Sequence, residues 1–196
     1  MNNIYNKLFK ALSLSTILSS SLFAVSAVKA LTYQKLDLAC IQKSRTQHTI
    51  KYDENSSLDM SRKYFSRAAG DKEASEELTK YASLGNDNIH QAYQAAAKLI
   101  SAKFLINPIS KIARVTEGIR EFEKIISLNP NNAEMRYMRY NIQLNMPAIV
   151  SYRDHLEEDL KHFKTYYINN KDLEVCPKDQ ETFMQILEVY FHCYIY

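Results

Sequence analysis

The chain predicts an all-α protein of stacked antiparallel helical hairpins, on three observations. Apolar residues recur at spacings of three and four from Leu58 almost to the C-terminal end, which is the helical period. Three glycines and four prolines are too few for the many tight turns of an all-β sandwich. Short junctions containing Asn107-Pro108, Asn129-Pro130 and Met146-Pro147 punctuate the periodic runs, close enough together to fold successive helices back on one another.

The first 30 residues stand apart from this pattern. Lys7 and Lys10 form a basic start, Ala11 to Val28 carries no charge, and small residues follow at Val25-Ser26-Ala27 and Val28-Lys29-Ala30. Seven scattered Ser and Thr residues keep the run less apolar than a spanning helix of about 20 residues. This is the grammar of a cleavable signal peptide, cut after Ala27 or Ala30. It predicts an exported protein, periplasmic or extracellular, with no stable membrane anchor after cleavage. Cys40 does not suit lipid attachment, because Asp37 stands where an aliphatic residue is needed.

Residues 31–57 form an N-terminal segment or linker. Leu36, Leu38 and Cys40 alternate with Lys35, Asp37 and Ala39, which fits a short strand or a first helix, and 44–57 is polar. The helical-hairpin domain then runs over 58–196. Leu58, Phe65 and Ala69 share a face, and Gly70-Asp71 marks a stop and a restart. Ala74, Leu78 and Tyr81 continue on an acidic helix that ends at Gly85. A longer helix over Asn88–Leu105 carries Ile89, Tyr93, Ala96, Ile100 and Phe104, with alanines that permit close helix approach. Asn107 and Pro108 supply a cap and a first-turn proline for the next helix. Its core stripe is Ile112, Val115, Ile119, Phe122 and Ile126. Pro130 is expected to open a helix with Met135, Met138 and Ile142 on one side, and Pro147 a further one lined by Leu156, Leu160, Phe163 and Tyr167. Asp179 is expected to cap a terminal helix bearing Phe183, Ile186, Leu187 and Tyr190. Two-helix units near 89–128 and 131–168 result, each of roughly 40 residues, the spacing of helical-hairpin arrays.

The segment LNPNNAEMRY resembles the junction between tetratricopeptide repeats, with Gly118 at the small-residue position and Phe122 at the aromatic one. Over 90–162 the chain is similar to an uncharacterised family of small exported bacterial proteins with degenerate tetratricopeptide-like helices. That resemblance rests on Lys103, Asn107-Pro108, Lys111, Phe122, Pro130, Asn132, Glu134, Arg136, Arg139, Gln143, Pro147 and Leu156-Glu157-Glu158-Asp159. It implies a tetratricopeptide-like α-α superhelix in an export compartment. It carries no catalytic residue.

Charge narrows the partners. Loss of Lys7, Lys10 and Lys29 with the leader turns 25 basic and 22 acidic side chains into 22 of each. No basic surplus then points to nucleic acid or to anionic lipid, since either partner would need a concentrated positive field. The cysteines Cys40, Cys176 and Cys193 would lie where disulfides form. A helix over 179–193 is about 22 Å long. Cys176 and Cys193 are then beyond the roughly 7 Å that a bridge spans. An internal disulfide would use Cys40 with either of them, and three unpaired thiols are the alternative.

The candidate chemistry is thin. The chain contains no H-E-x-x-H, G-x-S-x-G, Walker or C-x-x-C motif, and no spacing pairs His48, His90 or His192 with a nucleophile. Arg136, Arg139 and Gln143 share one helix side and could fork onto a carboxylate or phosphate, or could pair with Glu157, Glu158 or Asp159 on the following helix. His155, Asp159 and His162 share a face that could offer a metal three ligands, although three ligands on one helix seldom converge. Fourteen tyrosines with no tryptophan, several of them near the hairpins, suit a peptide-binding groove as well as they suit helix packing. The expected function is a non-catalytic binding or scaffold module that recognises protein or peptide without a cofactor. Arg136, Arg139, Tyr140 and Gln143 are its expected contacts. An enzyme or metal-binding protein using the Arg136/Arg139 or His155/Asp159/His162 face is the alternative.

Overall fold

A computed structural model of the chain describes residues 50–147, 150–171 and 178–195. The expected leader, most of the 31–57 segment, Cys40 and Cys176 lie outside the described residues. The chain divides into two units, Ile50–Glu188 and a second made of Met1–Thr49 with Val189–Tyr196. The account below concerns the first. Among the described residues every regular element is helical. None of these helices is long and apolar enough to cross a membrane.

Helix α1 spans Ser57–Ala68, and the Ser56 hydroxyl caps it by accepting from the Asp59 N–H. Two residues after Ala69, Asp71 caps α2, Lys72–Ala82, through the Ala74 N–H. Leu78 and Ala82 bury fully, while Tyr81 stacks on Tyr64 of α1 with ring centroids 5.6 Å apart. Asp87 caps α3, Asn88–Ser101. This helix stops four residues short of the expected Leu105, because Ala102–Phe104 tightens into a 3₁₀ turn before the chain reverses. Asn107 and Pro108 start α4, Pro108–Leu128, as expected, with the Asn107 carboxamide accepting from two backbone N–H groups.

The other two prolines behave differently. Pro130 lies in a turn, and the residue that starts α5, Ala133–Asn145, is Asn132, whose side chain accepts from the Met135 N–H. The N–H of Val150 bonds the Pro147 carbonyl at 3.0 Å, and α6, Leu156–Asn170, begins only nine residues after that proline. An acidic first turn of Glu157, Glu158 and Asp159 favours its N-terminus in place of a side-chain cap. Helix α7, Lys178–Ile195, starts one residue before Asp179, which therefore sits in the first turn and is not the cap.

The core is built around α3. Ala92, Ala95, Ala96 and Ala97 are buried with Tyr93 and Leu99, and they pack with Phe122, Ile125 and Ile126 of α4 and Met135, Met138 and Ile142 of α5. A side chain such as Phe122, fully buried, contributes about 2–3 kcal/mol of transfer free energy. Close approach depends on Gly118: a Cβ there would stand 2.7 Å from Leu99 Cγ. The start of α3 meets the end of α4 through Asn88 and Asn129, 2.9 Å, and Lys98 reaches Glu117 and Glu121 at 3.1 and 2.8 Å. Helix α3 also contacts α1, α2 and α5, and α5 packs on α6. The expected stripe of α4 is only half used. Phe122 and Ile126 are buried and Val115 and Ile119 partly so, but Ile112 is 67 % exposed, because α4 outruns its neighbour at that end.

Candidate functional site

Helix α5 holds two sets of charged side chains on different sides, since Glu134 and Arg139 are five residues and about 140° apart. On one side Arg139 donates two bonds to Asp159 of α6, from Nε and a terminal nitrogen, both at 2.7 Å. Its other terminal nitrogen reaches Glu123 of α4 at 2.8 Å. Arg136 donates to Asp159 and to Glu158, each at 3.0 Å. Asp159 is 0 % exposed, so its charge is compensated entirely by guanidinium groups. Tyr152 donates its hydroxyl proton to Glu123, and burial pushes that phenol far above its ordinary pKa, with the Glu123 bond adding to the effect.

Of the four expected contact residues, Arg139 and Gln143 are therefore buried, and Arg136 is largely covered by its carboxylate partners. Tyr140 packs edge-on against Phe163, centroids 5.4 Å apart, and Gln143 Oε1 accepts from the His155 N–H at 3.2 Å. Pairing with Asp159 and Glu158 of the following helix is the arrangement in which these arginines set helix register.

The second set escaped the sequence reading. Glu134, in the first turn of α5, takes a forked pair of bonds from Arg62 of α1, both 2.7 Å, and a third from the Tyr93 hydroxyl of α3 at 2.8 Å. Arg62 continues to Asp59 at 2.8 Å, and Asp59 also accepts from Thr182 of α7 at 2.8 Å. All five side chains are buried. Burial, with the Asp59 charge as a lesser cause, pushes the neighbouring Tyr52 phenol up to about 12. Nothing in local spacing could link Arg62 to a residue 72 positions on. The one available hint is Glu134 at N2, an acid at a helix start.

Beside this network lies a depression of about 250 Å³. Leu58, Ile89 and Phe183 give its wall apolar area, Asn131 and Gln180 offer carboxamides, and Arg62 and Glu134 close one side. It could hold one side chain of an extended segment, with amide groups to pair its backbone.

Two other expectations change. The carboxylate of Asp159 is turned to Arg136 and Arg139, and His155 bonds Glu158 at 3.2 Å, so the three groups of the His155/Asp159/His162 face do not converge. Among the described residues no group of three His, Cys, Asp or Glu side chains is placed to hold a metal ion. In contrast, His90 does meet a hydroxyl. Its Nε2 lies 2.9 Å from Ser57 Oγ and its Nδ1 2.8 Å from Asp87 Oδ1, a pairing that folding makes from residues 33 apart. The ring is 9 % exposed and rests where a Cβ at Gly85 would come within 2.3 Å of it. Leu58 and Ile89 line the neighbouring depression, whereas Ser57 and His90 do not. The three groups thus tie the starts of α1 and α3 together. Bonds from His90 hold the Asp87 carboxyl below its ordinary pKa against the opposing effect of desolvation, the largest single influence on it.

Compared with known proteins, the chain matches no family model, no curated protein and no solved structure.

Proposed function

We propose that the chain is an exported, non-catalytic binding module of stacked, tetratricopeptide-like helical hairpins that recognises a protein or peptide. The depression beside Glu134 carries this reading. It is bordered by the first helix of each consecutive pair, α1, α3 and α5, together with Tyr166 of α6 and the start of α7, and it combines apolar wall with the carboxamides of Asn131 and of Gln180, the latter already accepting from the Tyr166 hydroxyl, a mixture that suits an extended peptide. The contacts of α1 with α3 and of α3 with α5 support the stacking of successive hairpins. Arg136, Arg139 and Gln143, in this reading, hold the last pair together and leave recognition to Leu58, Ile89, Asn131 and Gln180. Export rests on the sequence of the first 30 residues.

A photo-reactive residue tests the assignment. With p-benzoylphenylalanine at Asn131, illumination in a cell-envelope extract should link the protein to a discrete polypeptide, and the same group at exposed Asn145, on the other end of α5, should not. Equal labelling from both positions, or none from Asn131, would refute the assignment of this surface.

A further inference from the structure

The α3–α4 junction carries a different surface. Ile106 is 97 % exposed, Ile109 79 % and Ile112 67 %, three large apolar side chains within seven residues. Ile109 and Ile112 belong to the stripe that continues inward through Val115, Ile119 and Phe122, while Ile106 lies in the loop just before the Asn107 cap, so α4 covers only the inner part of its apolar side. The reason is geometric. Leu99 near the end of α3 lies level with Gly118, where a Cβ would stand 3.3 Å from the Leu99 backbone nitrogen, so α3 ends before the first turns of α4 and only the short Ala102–Phe104 turn continues beside them. An exposed apolar tip of this kind is unusual on a monomer and marks a contact surface.

Charge selects the occupant. From Asn88 to Thr116 the chain holds Lys98, Lys103, Lys111 and Arg114 and no acidic residue, although the mature chain is balanced as a whole. Lys98 is paired with Glu117 and Glu121, and Lys103 is tied to the Ala69 carbonyl at 2.6 Å, yet it keeps its positive charge and stands exposed. Lys103, Lys111 and Arg114 thus lie within a few residues of the three isoleucines. We infer that this tip docks on an anionic lipid surface, with Ile106, Ile109 and Ile112 entering the interface and Lys103, Lys111 and Arg114 facing the headgroups. A helix that lies at a membrane interface buries its apolar side in the boundary between headgroups and acyl chains, and exposed isoleucines supply such a side. Each basic group near an anionic leaflet adds attraction that salt screens. A convex tip fits a deformable bilayer, whereas a peptide ligand would need a groove. This contact is separate from the depression beside Glu134, which touches α3 only at Ile89, near the other end of that helix.

The absence of tryptophan gives a clean test. In the full chain, Ile106→Trp places a reporter at the tip, and Leu84→Trp places one at a second exposed site at the end of α2. The apolar leader can bring either variant to vesicles, so sedimentation alone is uninformative and the reporter environment is what is read. With vesicles of phosphatidylglycerol in phosphatidylcholine, the tip reporter should shift to the blue and be quenched by brominated acyl chains, while the reporter at position 84 should do neither. Adding Lys111→Glu with Arg114→Glu should raise the lipid concentration for half-maximal shift about tenfold. The inference is overturned by any of four results. These are an unshifted tip on sedimented vesicles, an equal shift on phosphatidylcholine alone, an equal shift at position 84, or no effect of the charge reversals. A blue shift that grows with protein concentration in the absence of lipid would also overturn it, and would assign the tip to a second copy of the chain.

Discussion

Removal of Asp159 should expose how the α4–α5–α6 region is held. In Asp159→Leu the carboxylate that accepts two 2.7 Å bonds from Arg139 and one at 3.0 Å from Arg136 disappears, and a guanidinium remains in a site almost closed to water. Breaking a buried pair from one side costs about 3–5 kcal/mol, most of it the penalty of the stranded charge. The remaining bonds, Arg139 to Glu123 and Arg136 to Glu158, place the expected loss near the lower limit, about 3 kcal/mol. For a chain of this size that is a fall in Tm of about 10 °C. The double variant Arg139→Met/Asp159→Leu removes the stranded charge as well, so it should recover to within about 1 kcal/mol of the parent. Urea unfolding followed by circular dichroism at neutral pH, at constant m, gives both values and their coupling. A single-variant loss below about 1 kcal/mol, or a double variant no more stable than the single one, would refute the view that a buried charge pair sets this register.

Gly118→Ala should destabilise the protein by about 1–2 kcal/mol even though alanine gains about 1 kcal/mol of helix propensity, because the new Cβ would meet Leu99 Cγ at 2.7 Å. A neutral or stabilising result in thermal melts would show that α3 and α4 can part at no cost. The pKa of His162 is lowered, first by desolvation and then by Arg136, and its Nδ1 is buried without a hydrogen-bond partner. The unfolded chain then binds the proton more readily, so the contribution is complete above the unfolded value near 6.5. It is lost as pH falls through the lower folded value. Stability measured from pH 7 to pH 5 should decline less in His162→Phe than in the parent, and identical slopes would contradict this.

Legibility differed from element to element. The end of α1 and the start of α2 at Gly70-Asp71, the α4 start at Asn107-Pro108 and the buried faces of Leu78, Phe122, Met135 and Met138 could all be read, because capping and helical period are short-range properties. Pro130 and Pro147 misled, since a proline suits a turn as well as a first helical residue, and only the neighbouring Asn132 distinguishes the two. The candidate site was half legible. Arg136 and Arg139 were found by their spacing, but which of the nearby carboxylates they bond, and that Asp159 is wholly enclosed, required the packing of α5 on α6. Arg62, Glu134, Tyr93 and the Ser57–His90–Asp87 contact were not legible, for they join residues 33 to 72 positions apart or depend on a ring orientation set by Gly85.

The sequence by itself determined the helical class of the described residues from 57 onward, most helix limits to within a few residues, and the charge-free run that argues for export. These follow from local backbone preference and from side-chain periodicity, which neighbouring residues decide among themselves. Tertiary structure decided where charge is buried and where apolar surface is left outside. Arg139 looked available on its own helix and is enclosed by α4 and α6, while Ile112 looked like core and stands in solvent because α3 ends before it can cover that turn. Burial depends on the length and placement of other helices, and no single segment carries that information.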